Sequence, residues 1–378
     1  MYVLKPDIFY VWSNKTVALF LIVAFLSGVL PYLGIINIKV NNTVKKIPVG
    51  LIILTAILVG IKGFSNVGRD VVSGYYIGFQ SASSLSSFSD QTVELGYRML
   101  AVVVHNIWKN YTFFLVIVAM LTVIPVICFV WKYQKYLFMG LTLFLYTSIY
   151  YFQGLSLLRI FLAASIGLCA MDRLISHKNK SAFIFIVIAV LFHTSMLVLF
   201  IPYGIFVFNK ISRGSYAVLL FAVFAFLLLY GNKIISSFSG RYSVYKDTFS
   251  NGLGFEQLLY YLPILILIYF GHKFSKEKIL MYENDVYRLG LSLVIAGFFI
   301  GEVGYIISIF GRARVAFIAV IFIISYYTKE VYSIDKKWGI FTKLLVVCYG
   351  IFWLYVYLLQ YYNVDDIMPY STVWGWIF

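Results

Sequence analysis

The chain has 378 residues, 62% of them hydrophobic and 12% charged, against roughly 45–50% and 25% in an ordinary soluble domain, so a soluble globular protein is excluded. An outer-membrane barrel is excluded too, because its strands would read as ~10-residue alternating segments, whereas unbroken apolar runs such as Tyr111 to Trp131 recur. The balance of 30 Lys and Arg against 15 Asp and Glu would suggest nucleic acid in a soluble protein, but basic residues in short loops between apolar runs follow the positive-inside bias, and no nucleic-acid partner is implied.

What remains is an all-α polytopic membrane protein. At about 20 apolar residues per crossing plus short connections, the length gives about 11–13 transmembrane segments, and residues 1 to 378 form a single integral membrane domain. In chain order, the apolar runs predict spans near residues 17 to 36, 49 to 64, 111 to 131, 136 to 153 and 156 to 175. A long run at 182 to 208 follows, then runs at 216 to 235, 257 to 271, 287 to 310, 313 to 328 and 339 to 361. No small-residue cleavage pattern follows the first run, which is expected to be retained as a span. Two polar connections stand out: the Ser- and Gly-rich stretch 65 to 110, with a weakly apolar piece from Tyr97 to Trp108 that reads as an interfacial helix, and the stretch 236 to 256. Cys128, Cys169 and Cys348 each lie inside an apolar run without metal-ligand spacing and are expected to be small buried side chains.

Orientation comes from the basic clusters Lys39/Lys45/Lys46, Lys132/Lys135 and Arg173/Lys178/Lys180, which fall on one side if the first five runs each cross once, and that side is the cytoplasmic one. Lys273/Lys276/Lys278/Arg288 and Lys329/Lys336/Lys337 reach the same side only if residues 182 to 208 return to the face they left. Its 27 residues are too few for two full spans but enough for two half-helices of about a dozen residues each. A break or re-entrant pair is therefore predicted, meeting at His193-Thr194-Ser195, with non-helical backbone tolerated only where it is buried in protein or lines a watery cavity.

With this topology the 65 to 110 and 236 to 256 loops, the Gly154 turn, the Arg312/Arg314 turn and the C-terminal tail all open on the non-cytoplasmic face. Arg69, Arg98, Arg241, Arg312 and Arg314 then lie on the side the positive-inside bias does not explain, with Arg159 just inside a span. Arginine in or beside lipid is usually paired or functional, and its planar fork matches phosphate oxygens, which points to a diphosphate. Glu302 is the carboxylate well inside a span, readable either as the counter-charge of Arg159 or as a base. A lone His on an apolar helix is commonly a packing residue, but the break at His193 favours a base or a donor to substrate. Asp70, beside Arg69 in a Gly-associated turn, and Glu94, before a helical piece, are first-loop carboxylates that a solvated loop alone would also explain. Tyr242 and Tyr245 beside Arg241 suit a sugar path, since aromatic rings stack on sugar faces. No Walker loop, GxGxxG, HExxH or Cys cluster occurs, so no cofactor and no metal are expected.

These landmarks, in order, are Val67-Gly68-x-Asp70 followed by Tyr75, Glu94-x-Gly96-Tyr97, Gly154 five residues before Arg159, Phe192-His193-x-Ser195, Arg241-Tyr242 with Tyr245, the Arg312/Arg314 pair before a span, and Met368-Pro369-Tyr370. The set resembles the EpsG-like group of Wzy-type polysaccharide polymerases over nearly the whole chain. It departs from that group's pattern at Leu157-Leu158, where an Asn-Gln often precedes the arginine, and at Leu95, where the group often has proline.

The resemblance implies a multispan glycosyltransferase of GT-C-like architecture in a bacterial cytoplasmic (inner) membrane, with its active site facing the periplasm or cell exterior. It would build O-antigen, capsule or exopolysaccharide by joining repeat units carried on undecaprenyl diphosphate, without metal. Its partners would be the undecaprenyl-diphosphate-linked oligosaccharide donor and acceptor, membrane lipid and a chain-length regulator. In such an enzyme Arg159, Arg241, Arg312, Arg314 and Arg69 would bind diphosphate, His193 would act as base or orient the acceptor, Asp70 or Glu94 would be the alternative base, and Tyr242 and Tyr245 would line the sugar path. The competing readings are a membrane-bound O-acyltransferase, which would also place a histidine in an apolar run, and a non-enzymatic transporter or flippase of lipid-linked oligosaccharide.

Overall fold

A computed structural model of the protein describes residues 11–40, 43–207, 254–274, 281–306 and 308–378. Its helices are α1 (Asn14–Val29), α2 (Val49–Gly63), α3 (Tyr76–Gln80), α4 (Leu95–Ile107), α5 (Tyr111–Lys132), α6 (Met139–Leu145), α7 (Leu158–Ile175), α8 (Asn179–Phe192) and α9 (Phe200–Val207). After residues 208–253 come α10 (Phe255–Phe274), α11 (Met281–Ile306), α12 (Val320–Ile334) and α13 (Lys336–Tyr361). The one sheet among the described residues is an antiparallel pair, β1 (Ile35–Val40) and β2 (Thr43–Pro48), joining α1 to α2. Helix starts follow ordinary capping: Asn110 accepts from the Phe113 amide at 3.0 Å and Asp335 from the Lys337 amide at 2.7 Å, each satisfying an amide that has no partner inside its helix.

The helices bury one face in a shared aromatic and aliphatic core, and α13 turns Phe341, Leu344, Leu345, Ile351 and Phe352 outward. Large apolar side chains facing out on a packed helix are what lipid as solvent requires. The fold is that of an all-α polytopic membrane protein. Among the described residues, four helical stretches are long and apolar enough to cross a membrane: Asn14–Tyr32, Tyr111–Lys132, Asp285–Tyr305 and Lys336–Tyr361. A fifth is added if Gly311–Phe317 and Val320–Ile334, bent by 46°, form one span. The expected higher number is not reached because several runs are cut into shorter helices. Residues 136 to 153, for instance, divide into α6, a π-helical turn Tyr146–Tyr151 and a 3-10 turn Gln153–Leu155. The expected span 216 to 235 lies outside the described residues, as does the 236 to 256 loop up to residue 253.

The expected break falls where the sequence placed it. α8 ends at Phe192, His193 is extended at φ −158° and ψ 122°, and a 3-10 helix runs over Thr194–Leu199 into α9. The two halves fold back on each other. Phe183, near the start of α8, has its ring 5.5 Å from Phe200 and 6.0 Å from Tyr203, whereas in one continuous helix residues 183 and 203 would stand ~30 Å apart. Phe206 reaches the ring of His177, before α8, at 6.2 Å. The segment therefore returns to the end of the molecule it left, as the distribution of basic residues demanded.

Two ends result. At one, Lys132 pairs with Asp172, the Lys329 ammonium donates to the carbonyl of Lys135 at 2.7 Å, and His177 and Arg288 flank Asp285 at 3.1 and 3.5 Å. At the other, the 65 to 110 loop, the Gly154 turn, the break at His193 and the C-terminal tail meet, beginning with an isolated bridge between Ser65 and Thr372. α4 lies within that loop as expected for an interfacial helix: Leu95, Met99, Val103 and Ile107 form an exposed apolar stripe, while Gly96, Tyr97, Ala101, Val104 and His105 are buried. Spacing of four residues places each set on one helix face. The cysteines depart from expectation, since Cys128 and Cys348 are exposed on their helices and Cys169 is only half-buried.

Candidate active site

The site is assembled by close backbone approaches that glycine permits. Gly68 has φ +99°, and a Cβ there would lie 2.6 Å from the Leu155 carbonyl oxygen; a side chain would clash and would strain the backbone as well. The same loop is clamped from its other side by the C-terminal tail, because the amides of Asn66, Gly68 and Arg69 donate to the carbonyls of Ser371, Asp366 and Asp365 at 2.8, 2.9 and 3.0 Å. Wedged between the Gly154 turn and the tail, the chain passes Asp70 and enters a π-helical turn, Val71–Tyr75. Such a turn rotates side chains off the regular helical register, and here it presents Tyr75 to Arg159.

A second close approach brings in Glu94. A Cβ on Gly96 would sit 2.8 Å from the Leu191 carbonyl oxygen, so the start of α4 abuts the end of α8. Glu94, which precedes α4, thereby reaches the break: its Oε1 accepts from the Thr194 amide at 3.4 Å, and its Oε2 accepts from Nη1 of Arg159 in an ion pair. The two side chains are only 6% and 10% exposed, Arg159 and Glu94 respectively. The Arg159 Nε donates to the Tyr75 hydroxyl at 3.1 Å, and the guanidinium lies 5.3 Å from the Tyr75 ring centre. Tyr75 packs on Tyr97 with ring centres 5.3 Å apart, and the buried Tyr97 hydroxyl has no hydrogen-bond partner among the described residues.

Electrostatics separate the carboxylates. Burial pushes the Glu94 carboxyl upward, but the Arg159 guanidinium, then His193, then amide donors outweigh it and hold Glu94 below the usual range. Opposite charge favouring the ionised form is the cause. Asp365, in the tail just after α13, behaves the other way: burial raises it to about 6, against the Tyr357 hydroxyl that donates to it at 2.8 Å and the opposing charges of Arg312 and Arg69, with Asp70 adding to the rise. Arg312 is exposed, and its charge acts on both Tyr75 and Asp365 at the border of this cluster. His193 turns its Nδ1 to accept from the Ser195 amide at 3.2 Å. That contact caps the 3-10 helix and assigns Nε2 the proton in the neutral ring.

The predicted residues thus divide. Arg159, Glu94 and His193 come together with Tyr75, and Asp70 and Arg312 border them. Arg69 is elsewhere on the same end, 59% exposed and paired with Asp366 at 3.2 Å. Arg314 turns to a separate pocket and pairs with Glu256 at 3.4 Å. Glu302 is not the counter-charge of Arg159; it accepts from the Gly254 amide at 2.7 Å, and Glu94 fills the role instead. Glu94 precedes Arg159 by 65 positions in a different loop, so no helical spacing could have paired them. Arg241, Tyr242 and Tyr245 lie outside the described residues. Sequence reasoning missed Asp365 altogether, although the adjacent Asp365-Asp366 in a chain with 15 acidic residues was a visible signal. Among the described residues no group of three or more His, Cys, Asp or Glu is placed to hold a metal ion.

Searches of curated proteins and of solved structures find no match to this chain. Its sequence does match the model of the EpsG family across residues 45–372, a stretch that holds the Gly68 wedge, the Arg159–Glu94 pair, the break at His193 and most of the clamping tail. The chain belongs to the EpsG family.

Proposed function

We propose that the protein is a polysaccharide polymerase, a glycosyltransferase that moves a growing saccharide from undecaprenyl diphosphate onto the next lipid-linked repeat unit at the outer face of a bacterial cytoplasmic membrane. Family membership supports the polymerase reading. The observation that carries it to particular residues is the buried Arg159–Glu94 pair set against Tyr75 and the helix break at His193. In the reaction, a hydroxyl oxygen of the acceptor sugar bonds to the anomeric carbon of the donor, the bond from that carbon to the diphosphate oxygen breaks, and the electron pair leaves with the diphosphate. The hydroxyl proton passes to a base.

Fixed cations suit the departing diphosphate because its negative charge grows as the bond breaks. Among the described residues, Arg312, exposed beside the cluster, is a cation placed to meet it from the membrane surface, and Arg159 supplies positive charge from below through a rigid guanidinium. Glu94, held ionised by Arg159, serves best to fix that guanidinium and the break; a carboxylate so stabilised is a weak base. Asp70 is then the candidate for the proton, while His193, whose Nδ1 is taken by the Ser195 amide, carries its proton on Nε2 and suits orienting the acceptor by donation.

The test is direct. Purified protein in liposomes, supplied with short lipid-linked repeat units, should convert them into a ladder of longer lipid-linked products. An unchanged repeat that merely crosses the bilayer, or transfer of a labelled acyl group in place of sugar, would sink this reading.

A further inference from the structure

α13 presents one continuous stripe to its neighbours. Trp338, Phe341, Leu345 and Tyr349 line an open groove of about 950 Å³, walled opposite by Phe270, Ile266 and Pro263 of α10 with Ile324 and Val331 of α12. One to four turns further along the same stripe, Trp353, Tyr357, Gln360 and Tyr361 line a second pocket with Tyr260 and Glu256 of α10 and with Arg314. Residues three and four apart share a helix face, so the two compartments lie end to end along one seam. The lower one is apolar over nearly all its wall, and among the described residues Asp335, at its far end, is its one charged lining residue. It covers residues 338 to 349 of α13, ~17 Å of helix at membrane depth. The upper one is tight, about 30 Å³, room for little more than a water, and its polar lining includes Glu256, Gln360 and Arg314. Tyr349 ties the two together, lining the groove while its hydroxyl donates to the Tyr260 carbonyl at 2.9 Å.

We infer that this seam docks one of the two lipid-linked saccharides, the polyprenyl chain lying in the α10–α12–α13 groove and the diphosphate end meeting Arg314 at its polar mouth. The inference rests on the polymerase reading above and assigns that enzyme a second substrate position, distinct from the Arg159–Glu94 centre. Polarity graded along one seam fits an amphiphile with a long hydrocarbon and an anionic head, and the order of the compartments fits a head at the end where the catalytic cluster sits. Tyr357 belongs to the pocket and also donates to Asp365, so a head group there lies one side chain from the Asp365, Arg312 and Asp70 group. Glu256, at 3.4 Å from Arg314, is the carboxylate the diphosphate must displace.

The experiment uses the full-length protein in nanodiscs with a polyprenyl-diphosphate saccharide carrying a diazirine far down its prenyl chain. Cross-links are expected in residues 262 to 270 and 338 to 349, lost on competition with unlabelled lipid-linked saccharide but not with the same concentration of phosphatidylglycerol. Cross-links outside these stretches, or equal competition by the phospholipid, would overturn the inference by making the groove an ordinary lipid contact. Leu345→Trp, on an exposed face, should lower binding of the long-chain compound about tenfold and leave a short-prenyl analogue unaffected; equal effects on both would also overturn it. Because these readouts measure docking, they stand apart from the ladder assay, whose failure would remove the polymerase reading itself.

Discussion

Arg159 and Glu94, at the heads of two different helices, form an ion pair with both side chains nine-tenths or more buried. Taking two charges out of water is unfavourable unless each is well paired. The pair is therefore both a structural joint, linking the first loop to α7 and to the break at His193, and the charged floor of the site.

Removing either partner should leave a buried charge unpaired, which typically destabilises by about 3–5 kcal/mol. Arg159→Ala and Glu94→Gln should each lower the unfolding temperature in detergent and each abolish chain elongation. The double variant should be less destabilised than the sum of the two. Strict additivity in a thermal unfolding cycle would show that the charges do not depend on each other.

His193 combines a cap with a proposed donor at Nε2 that orients the acceptor, and the two roles separate by substitution. His193→Ala should lose the cap as well, about 1 kcal/mol, and stop elongation. His193→Asn keeps an acceptor for the Ser195 amide, so it should restore stability without restoring elongation. Near-normal ladders from the Asn variant would reduce His193 to a structural residue.

Asp365 titrates near 6 in the folded protein and near 3.9 when unfolded. The folded state thus holds the proton more tightly. Its contribution is fully present below about pH 4 and is lost as pH rises through about 6, a change of roughly 3 kcal/mol at 1.36 kcal/mol per unit. Unfolding measured from pH 4 to 7 should show this decline in the wild type and not in Asp365→Asn. Parallel curves for the two proteins would refute it.

Gly68→Ala should be strongly disruptive for its size. A Cβ would meet the Leu155 carbonyl at 2.6 Å in a backbone at φ +99°, a combined overpacking and backbone penalty of about 1–3 kcal/mol. Because the wedge also sets Asp70 and Tyr75, elongation should fall further than stability alone explains. Normal elongation at normal stability would mean the loop is not held as described.

The orientation can be read with single cysteines placed in a background lacking Cys128, Cys169 and Cys348. A thiol at exposed Ser83 should react with a membrane-impermeant reagent on intact cells, and one at exposed Ser333 only after permeabilisation. The opposite pattern would put the site on the cytoplasmic side.

What the sequence by itself determined was the solvent, the helical class and the reversal at His193. Those follow from quantities that are local or additive along the chain: apolar run length, and the side on which each Lys and Arg must fall. The parity of basic clusters alone required residues 182 to 208 to turn back, and Phe183 against Phe200 bears that out. Only the tertiary structure decided which charges meet. Arg159 takes Glu94 and not Glu302, Arg314 leaves the other arginines for Glu256, and Asp365 is drawn from the tail to Tyr357. These choices depend on how closely separate segments approach, through Gly68 against Leu155 and Gly96 against Leu191, and on how much water is excluded once they do. Neither distance nor burial is written in the spacing of residues along the chain.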